Sequence, residues 1–168
     1  MLFKEKNKVR CKPFIKWVGG KTQMLKYLVP LVKTVDFTKN KYIEPFIGGG
    51  ALFFHIQPKK AILSDFNKEL ITAYRTINGP IKVKKLIKQL QKNYKPHTNN
   101  EEMYYKIRAR GVKGEQYKDT ARFIYLNKSG FNGLYRVNKK GEFNVPFGQK
   151  KKIVDFEVEN LINCSKTL

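Results

Sequence analysis

The feature that most constrains the fold is a glycine turn, Gly48 to Gly50, between two short apolar segments. The stretch "KYIEPF" before the turn is typical of a short strand, and "ALFFHI" after it predicts a buried helix. "KAILS" then predicts a second strand that ends at Asp65, and "NKELITAYRTI" predicts an amphipathic helix with Asn67 as its N-cap. This order predicts the opening half of a parallel α/β nucleotide-binding unit.

The segments on either side of this unit predict mostly helices. Residues 12–33 predict a loop followed by a helix that Pro30 kinks or ends. After residue 79 we expect three helices, "IKVKKLIKQLQ", "NEEMYYKIRAR" and "KDTARFIYLNK", with helix-start residues at Thr98, Asn99 and Asn100. Residues 134–147 predict a β-hairpin whose turn is Lys139 to Gly141.

The glycine turn and the acid after the second strand indicate a nucleoside ligand. The dinucleotide motif G-x-G-x-x-G fails because residue 53 is Phe, so a pyrophosphate is not indicated. Asp65 stands where an acidic side chain accepts hydrogen bonds from ribose hydroxyls. An adenosine ligand without phosphate fits both observations, and S-adenosylmethionine is the common one. The alternative is that Glu44 and Asp65 only cap local structure.

A second glycine stretch, Gly19-Gly20-Lys21-Thr22, matches the end of a triphosphate-binding P-loop. The first glycine of that motif would fall at residue 15, which is Ile. Isoleucine does not easily adopt the left-handed backbone of a phosphate-binding loop. A purine-triphosphate function is therefore disfavoured, and Lys21 needs another explanation.

The charge of the chain indicates a polyanionic partner. Lys and Arg number 35 against 13 Asp and Glu, which gives a net charge of +22 and a pI near 10.0. Nucleic acid is the leading candidate, although a lysine-rich proteome would also raise the charge. No membrane span and no secretory signal are expected, and Cys11 and Cys164 lack metal-binding spacing. We expect a reduced, cytoplasmic protein of one domain, or of one domain with a small insert.

Four segments together resemble the N-terminal portion of Dam-type (class alpha) DNA adenine-N6 methyltransferases. They are "PFIKWVGGKTQML", "YIEPFIGGGALFF", "ILSDFNKELI" and "LNKSGFNGLYRVNKKGEFNVPFG", and they cover most of residues 13–148. The resemblance implies a partial Rossmann-like methyltransferase fold that binds S-adenosylmethionine, with an inserted helical and β-hairpin DNA-recognition domain. It divides the chain into a cofactor-binding part at 1–75, a recognition part at 76–152 and a return segment at 153–168.

The resemblance also implies the residues of the sites. Trp17 and Lys21 contact S-adenosylmethionine, with Lys21 near its carboxylate, although Trp17 could instead be a core anchor. The implied cofactor-binding residues are Trp17, Lys21, Glu44, Pro45, Phe46, Gly48, Gly50 and Asp65. The implied contacts to double-stranded DNA are Asn127, Phe131, Asn132, Leu134, Arg136 and Pro146. The last block is close to the GATC-recognising version, with Phe131 as the wedge of a base-flipping enzyme and Leu134, Arg136 and Pro146 at the base edges. "SGFNGLYR" could instead be a glycine-rich turn with packed aromatics.

The chain departs from this family in one respect. No Asp-Pro-Pro-Tyr or Asn-Pro-Pro-Tyr motif follows the recognition segment, so no catalytic residue is assigned. That motif holds the target amine in the family, and we therefore expect the 168-residue chain alone to be inactive. Three explanations stay open: a truncated gene product, one subunit of a split enzyme whose second chain supplies the motif, or a sequence-specific DNA-binding module without catalysis.

Overall fold

The computed structural model describes residues 8–94, 100–149 and 155–168 as a mixed α/β chain with a small parallel sheet. Thr98, Asn99 and His97 lie outside the described residues. In chain order the elements are α1 (Leu25–Val32), β1 (Tyr42–Glu44), α2 (Ala51–Ile56), β2 (Ala61–Leu63), α3 (Lys68–Ile77), α4 (Pro80–Asn93), α5 (Glu101–Ala109), α6 (Gln116–Ser129), a 3₁₀ turn (Phe131–Gly133) and α7 (Val158–Thr167).

The sheet of the described residues contains β1 and β2 in parallel, as the sequence predicts. Tyr42 pairs with Ala61 and Glu44 pairs with Leu63. Tyr42 and Glu44 face the core, whereas Ile43 and most of β2 are exposed. Since two strands alone are marginally stable in water, the packed helices must support this pair.

The predicted helices are confirmed, and their ends follow local chemistry. Asn67 caps α3 by accepting a hydrogen bond from Leu70 N, and Asn100 caps α5 by accepting one from Met103 N. Pro80 occupies the first turn of α4, where its missing N–H has no consequence. Pro30 does not end α1, which continues for one more half-turn to Val32.

The core lies where α3, α4, α6 and α7 pack together. α6 contacts both α3 and α4, and α7 contacts α3 and α4. Helices from both sides of residue 76 thus form one packed layer, and the division into 1–75, 76–152 and 153–168 stays a prediction. The aliphatic residues of this layer with almost no exposure include Leu70, Ile77, Leu86, Leu90, Ile124 and Leu161.

The predicted hairpin is present as a short antiparallel turn. Val137 and Phe143 form a bridge, and Asn144 N donates a hydrogen bond to Arg136 O. A second bridge, between Gly130 and Phe147, joins the base of the hairpin to the end of α6. The hairpin is therefore anchored at its base and exposed at its tip.

The residues that the structure describes contain neither a membrane-crossing helix nor a metal-binding cluster. None of their helices has both the length and the apolar composition that crossing a bilayer requires. They also contain no group of three His, Cys, Asp or Glu side chains that could hold a metal ion.

Candidate cofactor and nucleic-acid site

The turn after β1 is a tight bend closed by Gly50 N, which donates a hydrogen bond to Ile47 O. Gly48 has φ +52° and Gly50 has φ +76°, which are left-handed conformations that favour glycine. The Tyr74 hydroxyl donates to Gly48 O at 3.0 Å, and a Cβ at Gly50 would come within 2.5 Å of that hydroxyl. α3 therefore supports the bend from inside the core and leaves room only for glycine.

Asp65 lies against this bend. Its Oδ2 accepts a hydrogen bond from Gly48 N at 3.0 Å, and its Oδ1 accepts one from Asn67 N at 3.0 Å. A carboxylate has about four acceptor positions. Asp65 thus helps to shape the turn and begin α3, and it keeps acceptor capacity for hydroxyl groups of a ligand.

Lys21 reaches the same end of β1 from the N-terminal glycine loop. Its Nζ donates to Phe46 O at 2.7 Å and lies 3.0 Å from Glu44 Oε1 as an ion pair. Glu44 is buried; its Oε2 accepts from the Tyr42 hydroxyl at 2.6 Å, but its Oε1 has no partner with hydrogen-bond geometry. The site therefore holds a cation beside a buried carboxylate oxygen that can still accept a hydrogen bond.

Of the three residues between Glu44 and Gly48, Pro45 and Phe46 face solvent and Ile47 is buried. Pro45 O accepts a hydrogen bond from the Ser64 hydroxyl, which ties the ends of β1 and β2 together. The Phe46 side chain is 73% exposed beside the ion pair of Lys21. Phe46 consequently offers an uncovered aromatic ring at the mouth of the bend.

Trp17 covers the glycine bend from the other side. A Cβ placed on Gly48 would lie 2.9 Å from Trp17 Cδ1, so the indole sits directly against the backbone there. The Tyr135 ring stacks on the indole with a centroid distance of 5.4 Å, and the Phe123 ring lies tilted to it at 6.4 Å. Trp17 is half-buried, and its position joins the bend to the recognition segment.

The predicted DNA contacts lie around the 3₁₀ turn and the hairpin. Phe131 N donates to Pro146 O at 2.9 Å, which brings these two exposed residues together. Asn132 is also exposed and has φ +52°, whereas Leu134 is half-buried. Phe131, Asn132 and Pro146 thus form one exposed group beside Leu134.

Arg136 projects from the hairpin in a fixed orientation. Its Nε donates to Asn144 Oδ1 at 2.8 Å, and its Nη2 donates to Asn144 O at 3.2 Å. Arginine has five N–H donors in a planar fork. Asn144 uses one side of this fork, and the side that carries Nη1 faces outward for a ligand.

Asn127 differs from the other predicted DNA contacts because it is 2% exposed. Its Oδ1 accepts from Lys16 N at 2.9 Å, and its Nδ2 donates to Lys16 O at 2.8 Å and to Gly133 O at 2.9 Å. The amide therefore holds the N-terminal loop against the recognition turn and has no free donor for DNA in this geometry.

An open cleft of about 1100 Å³ lies along the N-terminal loop; Trp17, Asn127 and Asn132 line it, but Lys21, Glu44, Gly48 and Asp65 do not. The N-terminal loop 12–20 forms one wall, and Asn127, Asn132 and Gly133 form part of the other. Gly49 and Ala51 lie at its floor. The cleft is large enough for a nucleoside-sized ligand.

Three side chains at this site were not singled out from the sequence. Tyr135 supports Trp17, Glu69 accepts a hydrogen bond from Tyr135, and Asn144 orients Arg136. The hairpin pattern places Arg136 and Asn144 on facing strands, so that pair could have been found. The contact of Glu69 with Tyr135 spans 66 positions and has no local signal.

Comparison with known proteins places the chain in a family. The model of the D12 class N6 adenine-specific DNA methyltransferases matches residues 17–168, and the chain belongs to this family. It is 42% identical to the Type II methyltransferase M.MjaIII of Methanocaldococcus jannaschii over 94% of this chain and 59% of that protein. It is 41% identical to the Type II methyltransferase M1.LlaDCHI of Lactococcus lactis subsp. cremoris, over 92% of this chain and 54% of that protein. It is 35% identical to the DNA adenine methylase of Escherichia coli K12, over 83% of this chain and 48% of that protein. The chain thus spans about half the length of these relatives.

Proposed function

We propose that this chain is the cofactor-binding and DNA-recognition part of an adenine-N6 DNA methyltransferase that uses S-adenosylmethionine and recognises GATC. The observation that carries the proposal is the hydrogen bond from Gly48 N to Asp65, because it brings a ribose-binding type of acid to a glycine bend in a member of this family. A P-loop function has no comparable support.

The residues around the bend fit an adenosyl amino acid. Asp65 has acceptor capacity for ribose hydroxyls, and Lys21 offers an ammonium for a carboxylate. Glu44 Oε1 is ion-paired with Lys21 but accepts no hydrogen bond, so it can accept one from an ammonium group. Trp17 and Phe46 offer aromatic faces that suit the positively charged sulfonium of S-adenosylmethionine. The cofactor would supply the methyl group, and these residues would bind and orient it.

Residues 131–146, called the recognition segment below, carry groups that suit a DNA major groove. The outward side of the Arg136 fork suits guanine O6 and N7, a pairing worth about 1–3 kcal/mol of discrimination. Leu134 and Pro146 are apolar groups of a kind that contacts thymine methyls. The exposed ring of Phe131 is suited to fill the gap that an extruded adenine leaves. The backbone N–H of Phe131 donates to Pro146 O, which fixes the position of the residue. Asn127 enters the proposal as a residue that positions this segment.

For the fold we propose a partial Rossmann-like methyltransferase in which residues 76–152 are an inserted DNA-recognition region. Methyl transfer also needs groups that aim the lone pair of the adenine amine. The Asp-Pro-Pro-Tyr motif that would do so does not occur in the sequence. We therefore expect cofactor and DNA binding without turnover from the 168 residues alone.

Calorimetry with S-adenosylhomocysteine tests the proposal. The chain should bind this ligand and not ATP, and Asp65→Ala should weaken binding about ten- to hundredfold, because hydrogen bonds to a charged group contribute about 1.5–3 kcal/mol. Asp36→Ala is the matched control, since Asp36 is an exposed carboxylate that bonds only within its own loop. Binding of ATP without S-adenosylhomocysteine would overturn the proposal.

A further inference from the structure

A chain of side-chain contacts, Trp17–Tyr135–Glu69, joins the glycine bend to the recognition segment. It begins at Trp17, whose indole lies against Gly48, and continues to the stacked ring of Tyr135. The Tyr135 hydroxyl donates to Glu69 Oε1 at 2.9 Å. Since Tyr135 is the chain neighbour of Arg136, the same residue borders the two sites of the proposed function.

The far end of this contact chain is anchored in the core. Glu69 lies in the first turn of α3, and its Oε2 is 3.5 Å from Arg122 Nη1. Arg122 is 2% exposed, and its other donors bond to Ile107 O and Arg108 O. Glu69 is thus held by a buried arginine, which fixes the point to which Tyr135 is attached.

The protonation states keep this contact chain intact near neutral pH. Burial, together with the neighbouring charge of Glu69, raises the pKa of the Tyr135 hydroxyl to about 12. The hydroxyl therefore keeps its proton and stays a donor to Glu69.

We infer that Tyr135 and Glu69 are positioning residues: they hold Trp17 over the glycine bend and transmit a displacement of the recognition segment to the cofactor site. This inference rests on the proposed function for its ligands, but its geometry does not. If DNA moves residues 134–136, the indole must move with the ring stacked on it. By linkage, a ligand that fixes Trp17 also restricts Arg136.

Trp17 is the only tryptophan in the chain, so its fluorescence reports on these contacts directly. Without ligand, Tyr135→Leu should increase acrylamide quenching of Trp17 most, whereas Tyr135→Phe, which keeps the ring but loses the bond to Glu69, should increase it less. Glu69→Gln keeps an acceptor for the hydroxyl but loses the ion pair to buried Arg122, and it should increase quenching no more than Tyr135→Phe does. Val137→Ala is the control for general loosening, because Val137 lies on the same strand and pairs with Phe143.

Ligands supply the second measurement. Tyr135→Leu should weaken S-adenosylhomocysteine binding about two- to tenfold, the range expected for one aromatic pair. A GATC duplex should change Trp17 emission in wild type and in Tyr135→Phe but not in Tyr135→Leu, while labelled duplex shows by anisotropy that all three bind. Equal quenching of wild type and Tyr135→Leu, or equal effects of Tyr135→Leu and Val137→Ala, would overturn the inference. Absence of ligand or duplex binding by wild type would instead contradict the proposed function, and the quenching result would still decide the positioning role.

Discussion

Among individual side chains, the two neighbouring cysteines have pKa values that shift in opposite directions. The neighbouring Cys164 thiol, with smaller contributions from Thr167 and Gln57, lowers the pKa of Cys11 to about 6 against an opposing effect of burial. The neighbouring Cys11 and burial raise the pKa of Cys164, whose thiol proton is donated to Lys12 O. Cys11 is half-buried and Cys164 is fully buried.

We therefore predict that iodoacetamide alkylates Cys11 first. A lowered pKa means that the thiolate is present above about pH 6 and is lost below it. The alkylation rate should consequently rise through about pH 6 and then level off, whereas an ordinary thiol keeps gaining reactivity up to about pH 8.5. Peptide mass spectrometry over a pH series measures both sites.

Two variants control this measurement. Cys11→Ser should remove the fast-reacting site, and Cys164→Ser should move the midpoint of Cys11 upward if the sulfur contact is its cause. A Cys11 midpoint near pH 8.5 in the wild-type protein would contradict the prediction.

Among the helices, α5 depends on a single side-chain cap. Asn100 Oδ1 accepts a hydrogen bond from Met103 N at 2.8 Å. Asn100→Ala should lower the free energy of unfolding by about 1 kcal/mol. For a chain of this size that corresponds to a fall in Tm of roughly 2–4 °C. Thermal melts followed by circular dichroism measure it, and Asn100→Ser, which restores a cap, is the matched control. Identical melts of Asn100→Ala and wild type would contradict the assignment of the cap.

The same elements show what the sequence could predict. Helices α2 to α6 follow from their apolar residues, and α3 and α5 also from the caps Asn67 and Asn100, all of which are local properties. α1 and β2 also form at the predicted places, but α1 contains no fully buried residue and β2 is largely exposed. Burial depends on which elements pack over a segment, and spacing within the segment does not supply that information.

The candidate site also has features that the sequence predicts and features that it does not. Its backbone features were predictable, because the glycine turn and Asp65 follow consecutive strand ends, and the bond from Gly48 N to Asp65 joins them. The support of Trp17 by Tyr135 and the burial of Asn127 were not predictable, because each depends on contacts between distant parts of the chain. The resemblance supplies residue positions, whereas only packing shows which of them face outward.

For the molecule as a whole, charge and sequence recognition should be separable. A net charge of +22 attracts any nucleic acid through its phosphates, and log affinity should fall linearly with log salt at about −0.9 per phosphate neutralised. This electrostatic attraction to phosphates does not depend on the base sequence. Discrimination must come from oriented groups such as Arg136, which Asn144 holds at two positions of its fork.

This separation predicts the behaviour of a GATC duplex that contains 7-deazaguanine, which lacks the N7 acceptor. Wild type should lose affinity about five- to hundredfold for this duplex, as expected when an arginine–guanine pairing of about 1–3 kcal/mol is broken. Arg136→Ala should bind both duplexes equally, and its salt slope should differ from that of wild type by about 1 at most. Lys88→Ala, which removes an exposed charge from α4, is the control and should keep the full sensitivity to 7-deazaguanine. If Arg136→Ala still distinguished the two duplexes, another residue would recognise the guanine, and the hairpin would contribute charge alone.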